Sequence, residues 1–184
     1  ASIAKTYTYS EQQTFLEVVR FDCIGAQGRK GIVSLEAVQS EFASGSQPWP
    51  TVIAELLAQK RVEPATLRLT QRIWAFGRLI ANTDMHAGNL SFFLSDMPLT
   101  LAPVYDMLPM AFAPNSAGSM RRETVKLQID PVVPREVWLE VLPYARQFWL
   151  AASQNQGISE SFRELSREMA SELDAVEANV KRLA

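Results

Sequence analysis

The chain has 184 residues, of which 47% are hydrophobic and 21% charged, and this composition is typical of one globular unit with a sizeable core. Its 18 Lys and Arg against 20 Asp and Glu give a net charge of −2, so the overall basic field of a dedicated nucleic-acid-binding protein is missing. One cysteine, Cys23, and one histidine, His86, exclude a disulfide framework, a cysteine-rich zinc site and a centre with several histidines. No apolar run approaches the ~20 residues that span a bilayer, and no apolar segment of a signal peptide follows the start. We therefore expect a cytoplasmic protein without membrane or direct nucleic-acid binding.

The first predicted element is a β-hairpin. Tyr7-Thr8-Tyr9 and residues 14–21 are rich in aromatic and β-branched residues, and the polar Ser10-Glu11-Gln12-Gln13 lies between them. Because two strands alone are only marginally stable, we expect that other parts of a longer fold cover this hairpin. The glycines that follow, at Gly25, Gly28 and Gly31, do not match a phosphate-binding loop and predict a plain exposed turn.

Three helices are predicted next. Ser34 is a suitable N-cap for a short helix, and residues 44–48 are typical of a linker. Pro50 and Pro64 stand at first helical positions, where proline is favoured. In the helix that begins at Pro64, one apolar face is predicted to be buried. It comprises Ala65, Leu69, Ile73, Phe76 and Ile80, and it is widened by Trp74 and Leu79.

The second half begins with another predicted hairpin, formed by residues 89–94 and 99–102, and continues with a long irregular loop over 111–123. Pro134 and Pro143 are each interpreted as helix starts. A last helix is predicted from a regular apolar stripe that we expect in the core, with Ser161 and Glu164 as its capping box. The stripe comprises Ile158, Phe162, Leu165, Met169, Leu173, Val176, Val180 and Leu183.

The stretch that indicates chemistry is Ile80-Ala81-Asn82-Thr83-Asp84-Met85-His86-Ala87-Gly88-Asn89, where polar residues crowd directly after an apolar helix. Asp84 and Asn89 are five residues apart, and Asp106 follows 22 residues after Asp84, at the end of the second hairpin. A ligand set made of oxygen atoms, without His or Cys, suits Mg²⁺. With so few protein ligands, Mg²⁺ is expected to complete its coordination with phosphate oxygens. This set of residues is typical of phosphoryl transfer, in which a carboxylate positions the attacking hydroxyl.

The run Asn82-Thr83-Asp84-x-His86-x-x-Asn89, followed by Leu101-Ala102-Pro103-Val104-Tyr105-Asp106, resembles the HipA family of bacterial kinase-fold proteins. That family includes serine/threonine protein kinases that act as toxins in toxin–antitoxin systems. Val18-Val19-Arg20-Phe21-Asp22 is similar to the segment that joins the two kinase lobes there. The resemblance implies an α+β, predominantly α-helical fold: a protein-kinase-like C-terminal lobe with two small β-hairpins. Residues 1–24 are then a hinge-side hairpin, and residues 25–184 the helical lobe.

The resemblance also implies a role for each matching residue. Asp84 is the catalytic residue that orients or deprotonates the substrate hydroxyl, and Asn89 and Asp106 hold Mg²⁺. The main chain of Phe21 contacts the adenine of ATP, and Asp22 and His86 approach its ribose. The implied partners are a protein substrate, with an aminoacyl-tRNA synthetase as one candidate, and a DNA-binding antitoxin.

The sequence departs from the general kinase pattern in two ways. Asn82-Thr83 stands where His-Arg usually precedes the catalytic Asp, and Met107-Leu108 stands in place of Phe-Gly. Both departures are compatible with the HipA pattern. No glycine-rich loop or strand lysine for the ATP phosphates precedes Phe15, so we expect that this chain is the C-terminal part of a longer protein and has little kinase activity by itself.

Simpler interpretations of the same residues stay open. Asp22 next to Arg20 is equally consistent with an ion pair at a strand end, and His86 with a structural histidine. Arg121 and Arg122 are either solvated or positioned to bind an acid or phosphate of the substrate. For the whole chain, the alternatives are a catalytically idle kinase-fold module that binds an antitoxin or regulator, and a helical interaction domain whose polar loop is incidental.

Overall fold

The computed structural model describes residues 3–10, 13–45, 47–94 and 96–183. Parts of the predicted turns and linker, namely Glu11, Gln12, Ser46 and Ser95, lie outside these ranges. None of the described helices combines the length and the apolar character that crossing a lipid bilayer requires.

The predicted first hairpin is confirmed. Strand β1 (Ala4–Ser10) pairs antiparallel with β2 (Gln13–Val18), with Tyr7 opposite Phe15, and the pairing shifts register near the turn. The two strands form a sheet of their own, and all their residues are exposed. The side chains of Tyr7, Phe15 and Val19 lie on one face of this ribbon, because residues paired across strands share a face.

The glycine-containing segment forms the exposed turn that we predicted, within a second and very short hairpin. Strand β3 (Cys23–Ile24) pairs with β4 (Gly28–Arg29). Gly25 has a φ of +58°, a conformation that glycine adopts without the steric cost of a Cβ atom.

A three-stranded antiparallel sheet lies next to the polar loop. Its order is β5 (Ile32–Ser34), β6 (Ser91–Phe93) and β7 (Thr100–Leu101), so the predicted second hairpin is confirmed and gains a third strand. Phe92 of the central strand is fully buried in the core. Because β6 directly follows the polar loop, the sheet fixes the point where that loop ends.

Three helices follow the predicted order: α1 (Leu35–Phe42), α2 (Trp49–Ala58) and α3 (Pro64–Leu79). Ser34 caps α1 as predicted, since its side-chain oxygen accepts a hydrogen bond from the backbone N–H of Ala37. Proline stands within the first two positions of both α2 and α3.

The predicted buried face of α3 is only partly correct. Ile80 is buried, but Leu69 is 44% exposed and Ala65 is exposed as well. The predicted Trp74 and Leu79 are buried, and beside them the helix turns small residues inward, namely Thr66, Thr70, Ala75 and Gly77. Small side chains let neighbouring helices approach closely, and the large Trp74 fills the remaining space and packs against Trp49 at 5.5 Å between ring centroids.

The last two helices are α4 (Arg135–Gln154) and α5 (Glu160–Lys181). Two predictions about their ends are wrong. Pro143 lies inside α4 rather than at a helix start, because α4 continues from Pro134 through it. The capping box of Ser161 and Glu164 does not form: α5 begins at Glu160, one residue before Ser161, and its N-cap is Ser159, whose side chain makes no capping bond.

Helix α5 packs along α4 through the predicted apolar stripe. Its central members Leu165, Met169, Leu173, Val176 and Val180 are buried in the same core cluster as the α4 residues Trp138 and Trp149. At the ends of the stripe, Ile158 is half-buried and Leu183 is exposed. The stripe therefore supplies the contact that holds the last helix on the domain.

We expect Met169→Ala to lower the free energy of unfolding by about 2–5 kcal/mol, because Met169 is fully buried and its truncation leaves a cavity. Urea denaturation followed by circular dichroism measures this loss. Met120→Ala is the matched control, since Met120 is 49% exposed and its truncation is expected to change the unfolding free energy by less than ~0.5 kcal/mol. Equal losses in the two variants would contradict the packing described here.

Candidate functional site

The polar loop begins where α3 ends in a Schellman motif. Ala81 has a φ of +58°, its N–H donates to Arg78 O at 3.2 Å, and the N–H of Asn82 donates to Gly77 O at 2.8 Å. A non-glycine residue in this left-handed conformation costs roughly 1–2 kcal/mol. The turn reverses the chain within two residues and brings Asn82 into the interior.

Asn82 is the buried link between the two ends of the site. It is 3% exposed, and its Oδ1 accepts a hydrogen bond from the backbone N–H of Asp84 at 2.9 Å. Its Nδ2 donates to the main-chain oxygen of Asp106 at 3.5 Å and lies 3.4 Å from the sulfur of Met107. One side chain therefore connects the backbones that carry both candidate carboxylates.

Asn89 is joined to Asp84 directly. It closes a short 3₁₀ turn (Ala87–Asn89), it is 7% exposed, and its Nδ2 donates to the main-chain oxygen of Asp84 at 2.8 Å. This bond uses the amide nitrogen and leaves Oδ1 available as an acceptor or metal ligand. The structure thus brings the predicted pair Asp84 and Asn89 together.

Asp106 reaches the same loop through its neighbour Tyr105. The Tyr105 hydroxyl donates to Gly88 O at 2.8 Å and accepts from the Ser91 hydroxyl at 2.7 Å. Asp106 itself has a φ of +56°, a conformation that Asp tolerates better than most residues and that clusters at functional sites. Tyr105 therefore fixes the position from which the Asp106 side chain leaves the backbone.

The carboxylates of Asp84 and Asp106 are both exposed, and neither has an ion pair or hydrogen bond within the part of the chain that the structure describes. Among all residues that the structure describes, no group of three or more His, Cys, Asp or Glu could hold a metal ion. A metal at this site would rest on few protein atoms, namely the Asp106 carboxylate and the Asn89 amide oxygen. Such a set fits Mg²⁺ completed by phosphate oxygens and water.

Phe21 lies against the same segment. Its ring stacks on that of Tyr105, with centroids 5.9 Å apart, and meets Phe93 edge to face at 6.1 Å. The predicted nucleotide-contacting segment therefore packs on the residue that positions Asp106. The predicted contact of the Phe21 main chain with adenine remains a prediction.

Asp22 is engaged in the ion pair that the sequence left open as an alternative. Arg20 donates to its two carboxylate oxygens, from Nε at 2.9 Å and from Nη2 at 2.6 Å. The hydrogen bond from Arg20 is the largest influence that holds the pKa of Asp22 below its usual range, and burial opposes it. Asp22 is thus a buried, ionised and already paired carboxylate, and its contact with a ribose remains a prediction.

His86 is exposed, and its backbone position is fixed from both sides. Its Nδ1 accepts a hydrogen bond from the N–H of Gly88 at 3.0 Å, and its carbonyl oxygen accepts one from the indole of Trp49 at 3.1 Å. The second ring nitrogen stays open to a ligand. Its predicted contact with nucleotide remains a prediction beside this capping role.

Four residues to which the sequence assigned no such role hold the site together: Asn82, Tyr105, Trp49 and Trp149. The indole of Trp149 donates to Leu79 O at 3.1 Å and so fixes the start of the polar loop, as Trp49 fixes its middle. Asn82 and Tyr105 lie within the two sequence motifs, close to Asp84 and Asp106 respectively. This position in the motifs was the signal that could have identified them. Both tryptophans are buried in the core, and the hydrogen bonds of their indoles add this positioning role.

Gly77 makes room for the residues that directly follow the two carboxylates. A Cβ atom at this position would clash with the sulfur of Met85 and lie 3.0 Å from that of Met107. The two methionines therefore approach α3 as closely as they do only because Gly77 has no side chain, and a Cβ atom there would push their flexible ends aside.

We expect Gly77→Ala to destabilise the protein by no more than about 1 kcal/mol, because Met85 and Met107 must both move at their flexible ends while alanine favours the helix by ~1 kcal/mol over glycine. The methyl resonances of the two methionines in NMR spectra are expected to shift, while that of the distant Met169 stays in place. Met85→Ala combined with Gly77→Ala is expected to cost less than the sum of the single variants, since the clash is then relieved. Additive costs would argue against this contact.

Arg20→Ala is expected to raise the pKa of Asp22 toward the ordinary value of about 3.9, because the variant removes the hydrogen bonds that favour the ionised form. In the wild type, the stabilisation from this pair is complete above the ordinary pKa and is lost as the pH falls through the lowered one. An NMR titration of the Asp22 carboxyl carbon measures the shift. Arg135→Ala serves as control, and an unchanged Asp22 titration in Arg20→Ala would refute the pairing.

The chain was compared with known proteins. The sequence profile described as "HipA-like C-terminal domain" matches residues 2–180. Toxin YjjJ of Escherichia coli (strain K12) is 50% identical over 174 residues, which is 95% of this chain but only 39% of that protein. The chain therefore spans about two fifths of the length of this curated relative.

Two solved structures share the fold at low sequence identity. HipA of Shewanella oneidensis MR-1, solved with HipB and operator DNA, has a TM-score of 0.62 and 16% identity, and the match covers 98% of this chain and 51% of HipA. The Helicobacter pylori proinflammatory kinase CtkA also has a TM-score of 0.62, with 14% identity, and the match covers 100% of this chain and 78% of CtkA. These matches confirm the α-rich, kinase-like fold with small antiparallel sheets. With a family profile that matches nearly its whole length, the chain belongs to the HipA-like C-terminal domain family.

Proposed function

We propose that the protein is a Mg²⁺- and ATP-dependent serine/threonine protein kinase of the HipA toxin type, and that this chain carries its catalytic and metal-binding residues. The observation that supports the proposal best is the hydrogen-bonded connection of Asp84, Asn89 and Asp106 through buried amides. Three polar residues that are separate in sequence are tied to one another, as phosphoryl transfer requires.

In this proposal, the exposed Asp84 carboxylate accepts a hydrogen bond from the hydroxyl of the acceptor serine or threonine, orients it and takes its proton. Asn89 supplies its free amide oxygen, and Asp106 its unpaired carboxylate, to the metal ion. When bound, Mg²⁺ supplies charge neutralisation for the phosphate oxygens. Hydrogen bonds hold the main chain at Asp84 and Asp106, and the two carboxylates have no partner among the described residues.

For the nucleotide, we propose that the main chain at Phe21 meets the adenine and that Asp22 and His86 approach the ribose. His86 keeps one ring nitrogen open for this contact. Asp22 would have to share its oxygens with Arg20, which already binds both. Contact of Asp22 with the ribose therefore requires a change in its pairing with Arg20.

The groups that hold the ATP phosphates are proposed to come from the longer protein. The chain matches 39% of Toxin YjjJ and 51% of the Shewanella HipA chain, so both relatives have much additional sequence. We place the glycine-rich loop and the strand lysine of the phosphate clamp there. A segment that lacks the clamp keeps the candidate base but loses the positioning of the γ-phosphate, which accounts for much of the catalysis in kinases.

The proposed partners are a protein substrate and an antitoxin. The Shewanella HipA is described in a toxin–antitoxin complex with HipB and operator DNA, and this supports an antitoxin as partner of the full-length protein. An aminoacyl-tRNA synthetase is the candidate substrate that the resemblance implies. We propose that the protein acts in the cytoplasm.

One observation favours a second function, that of an idle kinase-fold module that binds an antitoxin or regulator. The carboxylate of Asp22, a proposed ribose ligand, is buried and already paired with Arg20. If this pair does not open, the nucleotide site is incomplete. Calorimetry with Mg·ATP on the full-length protein separates the two functions, because the idle module predicts no heat of binding.

Asp84→Asn in the full-length protein is expected to lower phosphotransfer to a protein substrate by about 10²–10⁴-fold, because the amide keeps the shape but cannot take the proton. Transfer of radioactive phosphate from ATP measures the rate. ATP binding by calorimetry is expected to stay within a factor of about two, since Asp84 does not hold the nucleotide in this proposal.

Asp174→Asn is the matched control, because Asp174 is an exposed residue on α5 whose ion pair with Arg146 lies on the protein surface. Its phosphotransfer is expected to equal that of the wild type. Residues 1–184 alone are expected to transfer little or no phosphate. Wild-type rates in Asp84→Asn would remove Asp84 from the mechanism, and turnover by the isolated segment would show that no external phosphate clamp is needed.

A further inference from the structure

A cavity of about 490 Å³ lies beside the candidate catalytic loop and has no role in the mechanism proposed above. One wall includes Asn82 and Thr83, the two residues that directly precede Asp84. Another wall comes from the irregular segment between the second 3₁₀ turn (Met110–Phe112) and α4. The cavity therefore borders the two residues that precede Asp84 in the chain, and Asp84 itself is not among its lining residues.

Three cations line the cavity: Arg78, Arg121 and Lys126. No carboxylate is among its lining residues, and none of the three side chains has an ion pair or hydrogen bond within the described ranges. Other arginines of the chain, such as Arg68 and Arg146, do pair with acids. In a protein of net charge −2, this cavity is a local concentration of uncompensated positive charge.

The backbone that carries two of these cations, Arg78 and Lys126, is held by packing. Arg78 is half-buried in the last turn of α3. Lys126 stands between Val125 and Leu127, which both pack on the core, and Leu127 is buried. Arg121 lies on the exposed irregular segment that forms the opposite wall. At Arg78 and Lys126, little backbone freedom is therefore lost when a ligand binds.

We propose that this cavity binds an anionic side chain, a carboxylate or a phosphate, of the protein substrate close to its acceptor hydroxyl. Arginine and lysine form charge-assisted hydrogen bonds with both groups, and arginine can do so with two parallel bonds. The inference rests on the proposed kinase function, because that function places the acceptor at Asp84. It adds a rule for substrate choice: an acidic or phosphorylated residue near the acceptor is preferred.

A protein side chain fits the cavity better than a nucleic acid does. Binding to nucleic acid normally uses a basic stripe or patch that follows many phosphates, and a net charge of −2 with a pI near 5.5 opposes such an overall field. The described cations instead converge on one cavity of limited size. One charged group is therefore the expected occupant.

The test measures binding of fluorescent peptides to the full-length protein at constant ionic strength. Each peptide has one central serine in a background of glycine and glutamine, and one flanking position is occupied in turn by glutamate, phosphoserine or glutamine. We expect glutamate or phosphoserine at a particular position to tighten binding about tenfold relative to glutamine. The ratio between the glutamate and phosphoserine peptides shows which anion is preferred, and a preference for either supports the proposal.

Arg121→Ala with Lys126→Ala is expected to remove this tenfold preference. The matched control is Arg135→Ala with Arg167→Ala, which deletes the same charge at two exposed positions outside the cavity and is expected to keep it. Arg122→Ala is a second control, because Arg122 lines only a neighbouring cavity that Arg121 also borders. Circular dichroism checks that all variants are folded.

Three results would overturn the inference: no preference for acidic peptides in the wild type, an equal loss of preference in the Arg135 and Arg167 control, or tighter binding of a single-stranded RNA that depends on Arg121 and Lys126. A phosphotransfer assay on the same proteins distinguishes failure of the anion-site inference from failure of the kinase proposal. Acid-selective binding without any phosphotransfer would refute the kinase function and the substrate role, but it would confirm an anion site. Phosphotransfer without acid selectivity would refute the anion site alone.

Discussion

The candidate site depends on the buried side-chain amide of Asn82. A buried amide that loses its hydrogen-bond partners costs roughly 1–3 kcal/mol, so its surroundings are constrained to supply them. Here the partners are the N–H of Asp84, which precedes strand β6, and the carbonyl oxygen of Asp106, which follows strand β7. Because one amide serves both, Asn82 links the two backbones, through a 2.9 Å bond on the Asp84 side and a long 3.5 Å contact on the Asp106 side. The backbones that carry the two candidate carboxylates are thus connected.

Aromatic side chains extend this constraint to the rest of the loop. The indoles of Trp149 and Trp49 donate to the carbonyl oxygens of Leu79 and His86, and the Tyr105 hydroxyl donates to Gly88 O. Each ring is anchored in the core or against other rings, so the polar atom at its edge is held rigidly. Such support balances the cost of the left-handed backbone conformations at the two ends of the site, because strained residues persist only where their surroundings over-determine them.

Much of the fold could be predicted because helices and hairpins leave periodic patterns, and the family match of the motifs indicated the kinase-like lobe. The inward face of α3 was predicted only in part, because periodicity favours large apolar residues such as Leu69, whereas Thr70 and Gly77 are buried because they permit close approach. The site residues Asp84, Asn89 and Asp106 were named from spacing, but the role of Asn82 was not. Its bond to Asp106 spans 24 positions, and no local pattern encodes which distant carbonyl a buried amide meets.

Asp22 differs from Asp84 and Asp106 in burial and in pairing, so the same residue type is used for an ion pair at one position and left with open carboxylate oxygens at the other two. Asp22 is buried and bound by Arg20, so its charge is neutralised and its oxygens are occupied. Asp84 and Asp106 are bound only through their backbones, and their exposed carboxylates have no partner among the described residues. A carboxylate whose backbone is held but whose oxygens are unpaired retains its capacity to bind a cation or a hydroxyl. Buried amides that hold the backbone, beside exposed carboxylates without a partner among the described residues, therefore support the proposal that Asp84 and Asp106 take part in phosphotransfer.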